Sequence, residues 1–209
     1  MNDNVMGIDM ATARPATCLV LSSDGQYLTR FATSNIAYVV AQCAELSVDL
    51  VAIDSPLGFP RGMCCLEETC SCGAPVNGRE CERLLSKRGI ASYYTTKKTI
   101  IKAMIYQSMK WRDVLVSCGR DVIEIYPYAT KVALFGKGMP KKSTAYGQEW
   151  LRRRVTELLH YDASAFDHDE CDAALAAYTG LLYLQGESEE VGFPDESTIV
   201  LPKMEGSRG

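Results

Sequence analysis

The sequence predicts an α/β fold built on a five-stranded mixed sheet with helices on its faces. Three short apolar runs, at residues 5–10, 49–54 and 121–126, are typical of strands that are buried on both faces. Helical patterns separate these runs, as expected for parallel strands joined by helical crossovers. Each run also carries a carboxylate, which is costly to bury unless it is paired or holds a cation.

The first half of the chain predicts a strand meander followed by a helix and a strand. Strands are expected at residues 17–22 and 27–32, and the Asp24-Gly25 pair between them indicates a hairpin. Asn35 is a suitable N-cap for a helix that ends near residue 46. The strand at 49–54 then ends in a loop rich in proline and glycine.

The second half begins with an irregular, cysteine-rich segment at residues 63–78. Pro127 ends the fifth strand. The remaining predicted elements are helices at 78–88, 97–118, 129–135, 144–159 and 167–184, and a short strand at 197–201.

These elements predict the strand order 3-2-1-4-5, because a three-stranded antiparallel meander is followed by parallel strands. The first and fourth strands are then neighbours at the centre of the sheet. A length of 209 residues fits one domain over residues 1–209. We expect an insertion at about 60–118 and an acidic C-terminal segment from about 186.

Carboxylates mark the predicted site. Asp9 and Asp54 end the first and fourth strands, Glu124 lies in the fifth, and Asp169 and Asp172 open an alanine-rich helix one turn apart. Acids that meet at the carboxyl ends of adjacent strands indicate a site for two Mg²⁺ or Mn²⁺ ions. Asp9 would bridge both ions, Asp54 and Glu124 would each hold one, and Asp172 would complete the site, with Asp169 on the same helix face. Taken alone, the two helix acids fit better as first-turn or capping residues, and it is the strand acids beside them that favour a metal site.

Several motifs also resemble known proteins. Gly7-Ile8-Asp9 followed by a hairpin is similar to the first strand of ribonuclease H-like and Holliday-junction resolvase enzymes. Asp169-x-x-Asp172-Ala173-x-x-Ala176 resembles the final helix of RuvC-like resolvases, in which two acids one turn apart complete the metal site. With residues 52–58 and 123–127, these motifs resemble the family called domain of unknown function 429, which is described as predicted nucleases of ribonuclease H fold.

The resemblance covers roughly residues 5–185. It implies a ribonuclease H-like fold and a metal-dependent nuclease that hydrolyses phosphodiester bonds of DNA or RNA. Resolvase-like chemistry would favour a homodimer, although no motif marks an interface.

Uneven charge is compatible with a nucleic-acid partner. The net charge is −4, yet residues 79–112 hold nine basic and two acidic side chains and residues 137–154 hold six and one. Residues 157–209 hold twelve acidic and two basic side chains. Solvated helix faces would explain this pattern equally well. Candidate phosphate contacts are Lys97, Lys98, Lys102, Lys131, Arg79 and Arg83.

Five of the nine cysteines lie within residues 64–81. Their spacing is not that of paired zinc knuckles, so a zinc ion, an iron–sulfur cluster and free packed thiols all remain open. The candidate ligands are Cys64, Cys65, Cys70, Cys72 and Cys81.

Two other functions remain open on the same fold, since fold does not determine function. One is a nucleotide-dependent phosphoryl enzyme related to actin-like ATPases. Against this function, the sequence contains neither a second glycine-rich phosphate loop nor a second domain to close over a nucleotide. The other is a catalytically inactive nucleic-acid-binding module.

The sequence predicts no membrane partner. It contains no apolar run of about 18 residues or more. A polar start that leads directly into a strand lacks the pattern of a signal peptide, so we expect a cytoplasmic protein.

Overall fold

The computed structural model describes residues 4–203, in which helices flank one mixed sheet. The strands are β1 Asn4–Asp9, β2 Ala16–Leu21, β3 Tyr27–Thr33, β4 Val48–Asp54, β5 Asp121–Ile125, β6 Ser188–Val191 and β7 Ile199–Pro202. The helices are α1 Ile36–Glu45, α2 Glu80–Lys87, α3 Lys102–Ser117, α4 Pro127–Phe135, α5 Ala145–Leu159 and α6 His168–Leu184.

The sheet has seven strands in the order β3-β2-β1-β4-β5-β7-β6. Its first five strands confirm the predicted order, and β7, which lies at the short strand predicted for 197–201, and β6 extend the sheet beyond β5. β7 continues the sheet parallel to β5, and β6 pairs antiparallel with β7. β6 escaped prediction because its sequence, Ser-Glu-Glu-Val, has almost no apolar character, as is common at a sheet edge.

Strand register decides which face of the sheet each acid occupies. Asp9 pairs with Asp54, whereas Glu124 pairs with Ile53, one residue earlier on β4. Paired residues in parallel strands point to the same face, and successive residues alternate. Asp9 and Asp54 therefore share one face, and Glu124 lies on the other with Ile53.

Each face has its own hydrophobic core. Ile8 and Ile53 pack with Trp111 and Leu115 of α3 on one side. On the other side, residues of β2 pack with α5 and α6, including Leu19, Val155 and Leu175. All six residues of β1 are buried, as expected for a central strand covered on both faces.

Helix α6 lies directly on β1 because small residues line the contact. A Cβ atom on Gly7 would stand 2.1 Å from the carbonyl oxygen of Ala173 and 2.3 Å from the nitrogen of Ala177. Farther along the helix, a Cβ on Gly180 would stand 2.6 Å from Val5 Cγ1. This close approach brings the first turns of α6 to the end of β1.

The starts of α3 and α4 differ from the predicted ones in ways that bear on candidate residues and on the end of β5. α3 begins at Lys102 rather than 97, so Lys97 and Lys98 lie in an irregular segment. α4 begins at Pro127, two residues earlier than predicted, because a proline fits the first position of a helix, where no internal N–H bond is needed.

Substituting Gly7 tests the contact between α6 and β1. Gly7→Ala should lower the free energy of unfolding by about 3 kcal/mol, because the added methyl group meets backbone atoms that cannot move aside. Chemical denaturation would measure the loss. Gly138→Ala is the matched control, since a Cβ there meets nothing within 4 Å. Equal stabilities of the two variants would contradict a close contact at Gly7.

Candidate metal centre

Two strand acids form the base of the site. Asp9 and Asp54 end the neighbouring strands β1 and β4, in register and on the same face. Asp9 is only 8% exposed, and its carboxyl group lies within hydrogen-bonding reach of that of Asp54. Two carboxyl groups within hydrogen-bonding reach of each other repel when both are ionised.

Helix α6 adds two further acids. Asp172 is buried beside the strand acids, and Asp169, one turn earlier, lies within hydrogen-bonding reach of Asp9. The helix is capped by Asp167, whose side chain accepts a hydrogen bond from the Glu170 N–H in a reciprocal capping box. Because Asp167 caps the helix, Asp169 and Asp172 are free to face the strand ends.

Burial and repulsion raise the pKa of the strand acids. Burial, then the negative charges of Asp172 and Asp169, raise the pKa of Asp9 to about 7. Burial, then the charges of Asp9 and Asp172, raise the pKa of Asp54 well above its usual range. A cation among these oxygens would relieve the repulsion, and carboxylates are the ligands that Mg²⁺ and Mn²⁺ prefer. The donor set therefore fits hard divalent ions.

Basic groups balance part of this charge. Lys131 Nζ, on α4, is buried 3.0 Å from Asp172 Oδ1. Arg14, in the β1–β2 connection, places Nη2 at 2.6 Å from Asp169 Oδ1 and 3.7 Å from Asp9 Oδ2. Lys131 was predicted from the sequence as a phosphate contact. Arg14 was missed, because nothing in its local sequence distinguishes it from other exposed arginines.

His168 lies beside the two helix acids. Its Nδ1 lies 3.4 Å from Asp172 Oδ2 and 3.7 Å from Asp169 Oδ1. The imidazole therefore lies beside both carboxylates on the first turn of α6.

Glu124 is not brought to this cluster. Arg79 binds both of its carboxylate oxygens, with Nη2 at 2.6 Å from Oε1 and Nη1 at 2.7 Å from Oε2, and the Leu57 N–H donates to Oε2 at 2.7 Å. The one-residue offset of β5 against β4 places this side chain on the opposite face from Asp54. The acids that converge are thus Asp9, Asp54, Asp169 and Asp172.

Arg79 and Arg83 serve internal contacts rather than a phosphate-binding surface. Arg79 is 1% exposed and also donates to Glu82. Arg83 donates to Glu80 and to the Gly78 carbonyl. Both arginines therefore stabilise the start of α2, and Arg79 also connects it to β5 through Glu124.

The other predicted phosphate contacts lie on a separate surface. Lys97 donates a hydrogen bond to the Cys70 carbonyl, and Lys97 and Lys98 line a cleft beside residues 72–78. Lys102 Nζ lies 3.8 Å from a Glu67 carboxylate oxygen. These lysines lie beside the cysteine-rich loop and do not contact the acid cluster.

A cleft of about 440 Å³ opens beside the acids. Asp54, Asp172 and Lys131 form part of its lining. The cleft is also lined by aromatic and basic side chains that the sequence analysis did not identify as functional: Tyr93, Tyr126, Tyr128 and Lys142. Tyr93 is 79% exposed, so its ring faces are accessible to a ligand.

Four of the five candidate cysteines cluster. The sulfur atoms of Cys64, Cys65, Cys70 and Cys72 all lie within 4.8 Å of one another, a grouping that could hold a metal ion. Cys81 is not part of this group, because it is buried among Leu85, Val191 and other apolar residues.

Comparison with known proteins agrees with this architecture. A family model described as "Protein of unknown function (DUF429)" matches residues 7–198. The chain belongs to this family. No curated protein matches the sequence. Among residues 4–203, no helix has the length and apolar character needed to cross a membrane.

Solved RuvC structures share the fold of this DUF429 protein. RuvC from Thermus thermophilus matches with 14% identity and a TM-score of 0.52, over 88% of this chain and 96% of that chain. Thermus thermophilus RuvC in complex with a Holliday junction substrate matches with 12% identity and a TM-score of 0.52, over 93% and 98%. At such low identity the likeness shows the fold, and it confirms the predicted ribonuclease H-like architecture.

The raised pKa of Asp9 predicts a pH-dependent stability. Unfolded Asp9 has the ordinary pKa of 3.8, and the folded value is about 7. The folded state therefore holds a proton that the unfolded state loses, and stability falls as pH rises through this window. At about 1.4 kcal/mol for each pKa unit, the loss reaches at most about 4 kcal/mol.

Asp9→Asn removes this penalty. With metal chelated, the variant should gain stability relative to the wild type as pH rises from about 4 to 8. Urea denaturation across this range would measure the difference. Asp113→Asn, at an exposed position, is the control and should show no such trend. A constant stability difference between Asp9→Asn and wild type would contradict the raised pKa.

The Glu124–Arg79 pair predicts a structural role for Glu124. Glu124→Gln should lower the free energy of unfolding by about 3 kcal/mol, because it leaves the buried Arg79 charge without its bidentate partner. Glu157→Gln, which breaks an exposed pair with Arg154, should cost about 0.5 kcal/mol or less. Thermal denaturation compares the two variants, and similar losses would argue against a buried ion pair.

Proposed function

We propose that this protein is a metal-dependent nuclease that hydrolyses phosphodiester bonds of DNA or RNA. The observation that carries the proposal is the convergence of Asp9, Asp54, Asp169 and Asp172 at one edge of a ribonuclease H-like sheet.

The four carboxylates would hold two Mg²⁺ or Mn²⁺ ions. When bound, such ions would supply an activated water as the nucleophile and would offset the charge on the leaving oxygen of the phosphodiester. Asp9 lies within reach of both Asp54 and Asp169, so it would contribute a ligand from the centre of the acid cluster. Glu124 has no part in this ligand set, since its oxygens are bound by Arg79 and Leu57.

The basic neighbours would restrain the acids and meet the substrate. Lys131 holds Asp172, and Arg14 holds Asp169 next to Asp9. Both cations lie close enough to the acids to contact the phosphate that is cleaved.

The adjoining cleft suits a nucleic-acid strand. Lys142 and Lys131 supply positive charge for the backbone, and the exposed ring of Tyr93 is suited to stacking on a base. One of the similar solved structures is RuvC with a Holliday junction substrate, which supports nucleic acid as the partner proposed here.

A cleavage assay tests the proposal. Labelled single strands, duplexes, DNA–RNA hybrids and four-way junctions would be incubated with Mg²⁺ or Mn²⁺, with EDTA as the chelated control. Asp54→Asn should reduce cleavage by about 100-fold or more, because it removes a candidate metal ligand. Asp113→Asn, which keeps the acid cluster intact, should cleave as the wild type does.

Metal and nucleic-acid binding distinguish the other outcomes. Metal-induced stabilisation of the wild type, lost in Asp54→Asn, would support the metal site even without cleavage. Salt-dependent nucleic-acid binding without cleavage of any substrate would contradict the nuclease and favour a binding module. Absence of both cleavage and binding would reject a nucleic-acid function.

A further inference from the structure

The four clustered cysteines lie in a long connection without helix or strand. Residues 55–79 join β4 to α2, and Cys64, Cys65, Cys70 and Cys72 lie in its middle. Within this connection Leu66 is fully buried, and its N–H donates to the Tyr106 hydroxyl on α3 at 2.8 Å. Leu66 is the one buried residue from 61 to 77, a small anchor for a segment of this length, since ordering each backbone residue costs about 1–2 kcal/mol.

The spacing of the sulfur atoms fits one tetrahedral ion. All four lie within 4.8 Å of one another, and Cys64 Sγ and Cys70 Sγ are 3.6 Å apart. Zinc–sulfur bonds of about 2.3 Å in a tetrahedron place the sulfur atoms about 3.8 Å apart. An iron–sulfur cluster attaches its cysteines to several irons and would spread the sulfurs more widely.

We propose that Cys64, Cys65, Cys70 and Cys72 bind a single structural Zn²⁺ ion. The four thiols would release their protons to solvent as four sulfur–zinc bonds form, with no change of oxidation state. Four protein ligands close the coordination shell, as in zinc sites that stabilise a fold rather than catalyse a reaction. Soft thiolates prefer zinc and the carboxylates of the other site prefer Mg²⁺ or Mn²⁺, so the two sites would select different metals.

The zinc ion would hold a lysine-bearing cleft in shape. Lys97 donates to the Cys70 carbonyl, so it is attached to the metal-binding loop itself and its charge partly balances the four thiolates. A cleft of about 520 Å³ lies between Cys72 and Gly73 on one side and Lys97 and Lys98 on the other. Without the ion this wall of the cleft would lose its main restraint.

Metal analysis of the whole chain tests the site. Protein purified under reducing conditions without chelator should contain about one zinc ion per chain by mass spectrometry. Cobalt exchanged into the wild type should give the thiolate-to-cobalt charge-transfer and ligand-field bands of a tetrahedral sulfur site. This spectrum needs no mutant, so it remains decisive if cysteine variants do not fold.

Variants then locate the ion. Cys65→Ser combined with Cys72→Ser should lose the zinc, whereas Cys118→Ser, at an exposed cysteine outside the group, should retain it. Asp9→Asn should also retain the zinc, which separates this proposal from the carboxylate site.

Three results would overturn the zinc site. They are reduced wild-type protein that neither contains nor takes up zinc, iron in place of zinc with iron–sulfur absorption, and a disulfide among these cysteines in the purified chain.

Discussion

The close approach of α6 to β1 is the constraint on which the site depends. Gly7 leaves room for the backbone of α6, and the alanines of that helix present almost no side chain to the sheet. A helix packed on ordinary side chains would stand farther out, and Asp172 would no longer reach the end of β1. The identity of one strand residue and the small side chains of one helix face therefore set the distance between the acids that make the site.

The fold holds these acids at an energetic cost. Burial and mutual repulsion act in the same direction on Asp9 and Asp54, and Lys131 and Arg14 offset only part of the repulsion. By contrast, Glu124 on the other face is bound through both oxygens by Arg79, which offsets part of the rise in its pKa that burial causes. One acidic group is thus paired while its neighbours are kept under electrostatic strain, which is typical of a functional site.

The sequence was informative wherever local pattern determines structure. Asp9 and Asp54 end apolar strands, and Asp169 and Asp172 are one helical turn apart, so their meeting could be predicted from strand order and helix period. The sheet face that Glu124 occupies could not be predicted, because it depends on the register of β5 against β4, which tertiary packing sets.

Other features depended on partners far away in the chain. Arg14 acquires its place only through Asp169, which lies 155 residues later. Arg79 looked like one more surface cation in a basic segment, yet its partner Glu124 removes it from solvent. β6 has too few apolar residues to predict a strand, and only its pairing with β7 reveals it.

The acidic strand β6 also limits how copies of this protein can associate. An edge strand presents unpaired backbone N–H and C=O groups, which invite another chain to extend the sheet. β6 has only four residues, and Glu189 and Glu190 occupy its middle. Two such edges brought together would oppose like charges over a very short ladder. Growth of the sheet from this side is therefore disfavoured, which leaves the β3 edge, the helices and the loops for any assembly of the chain.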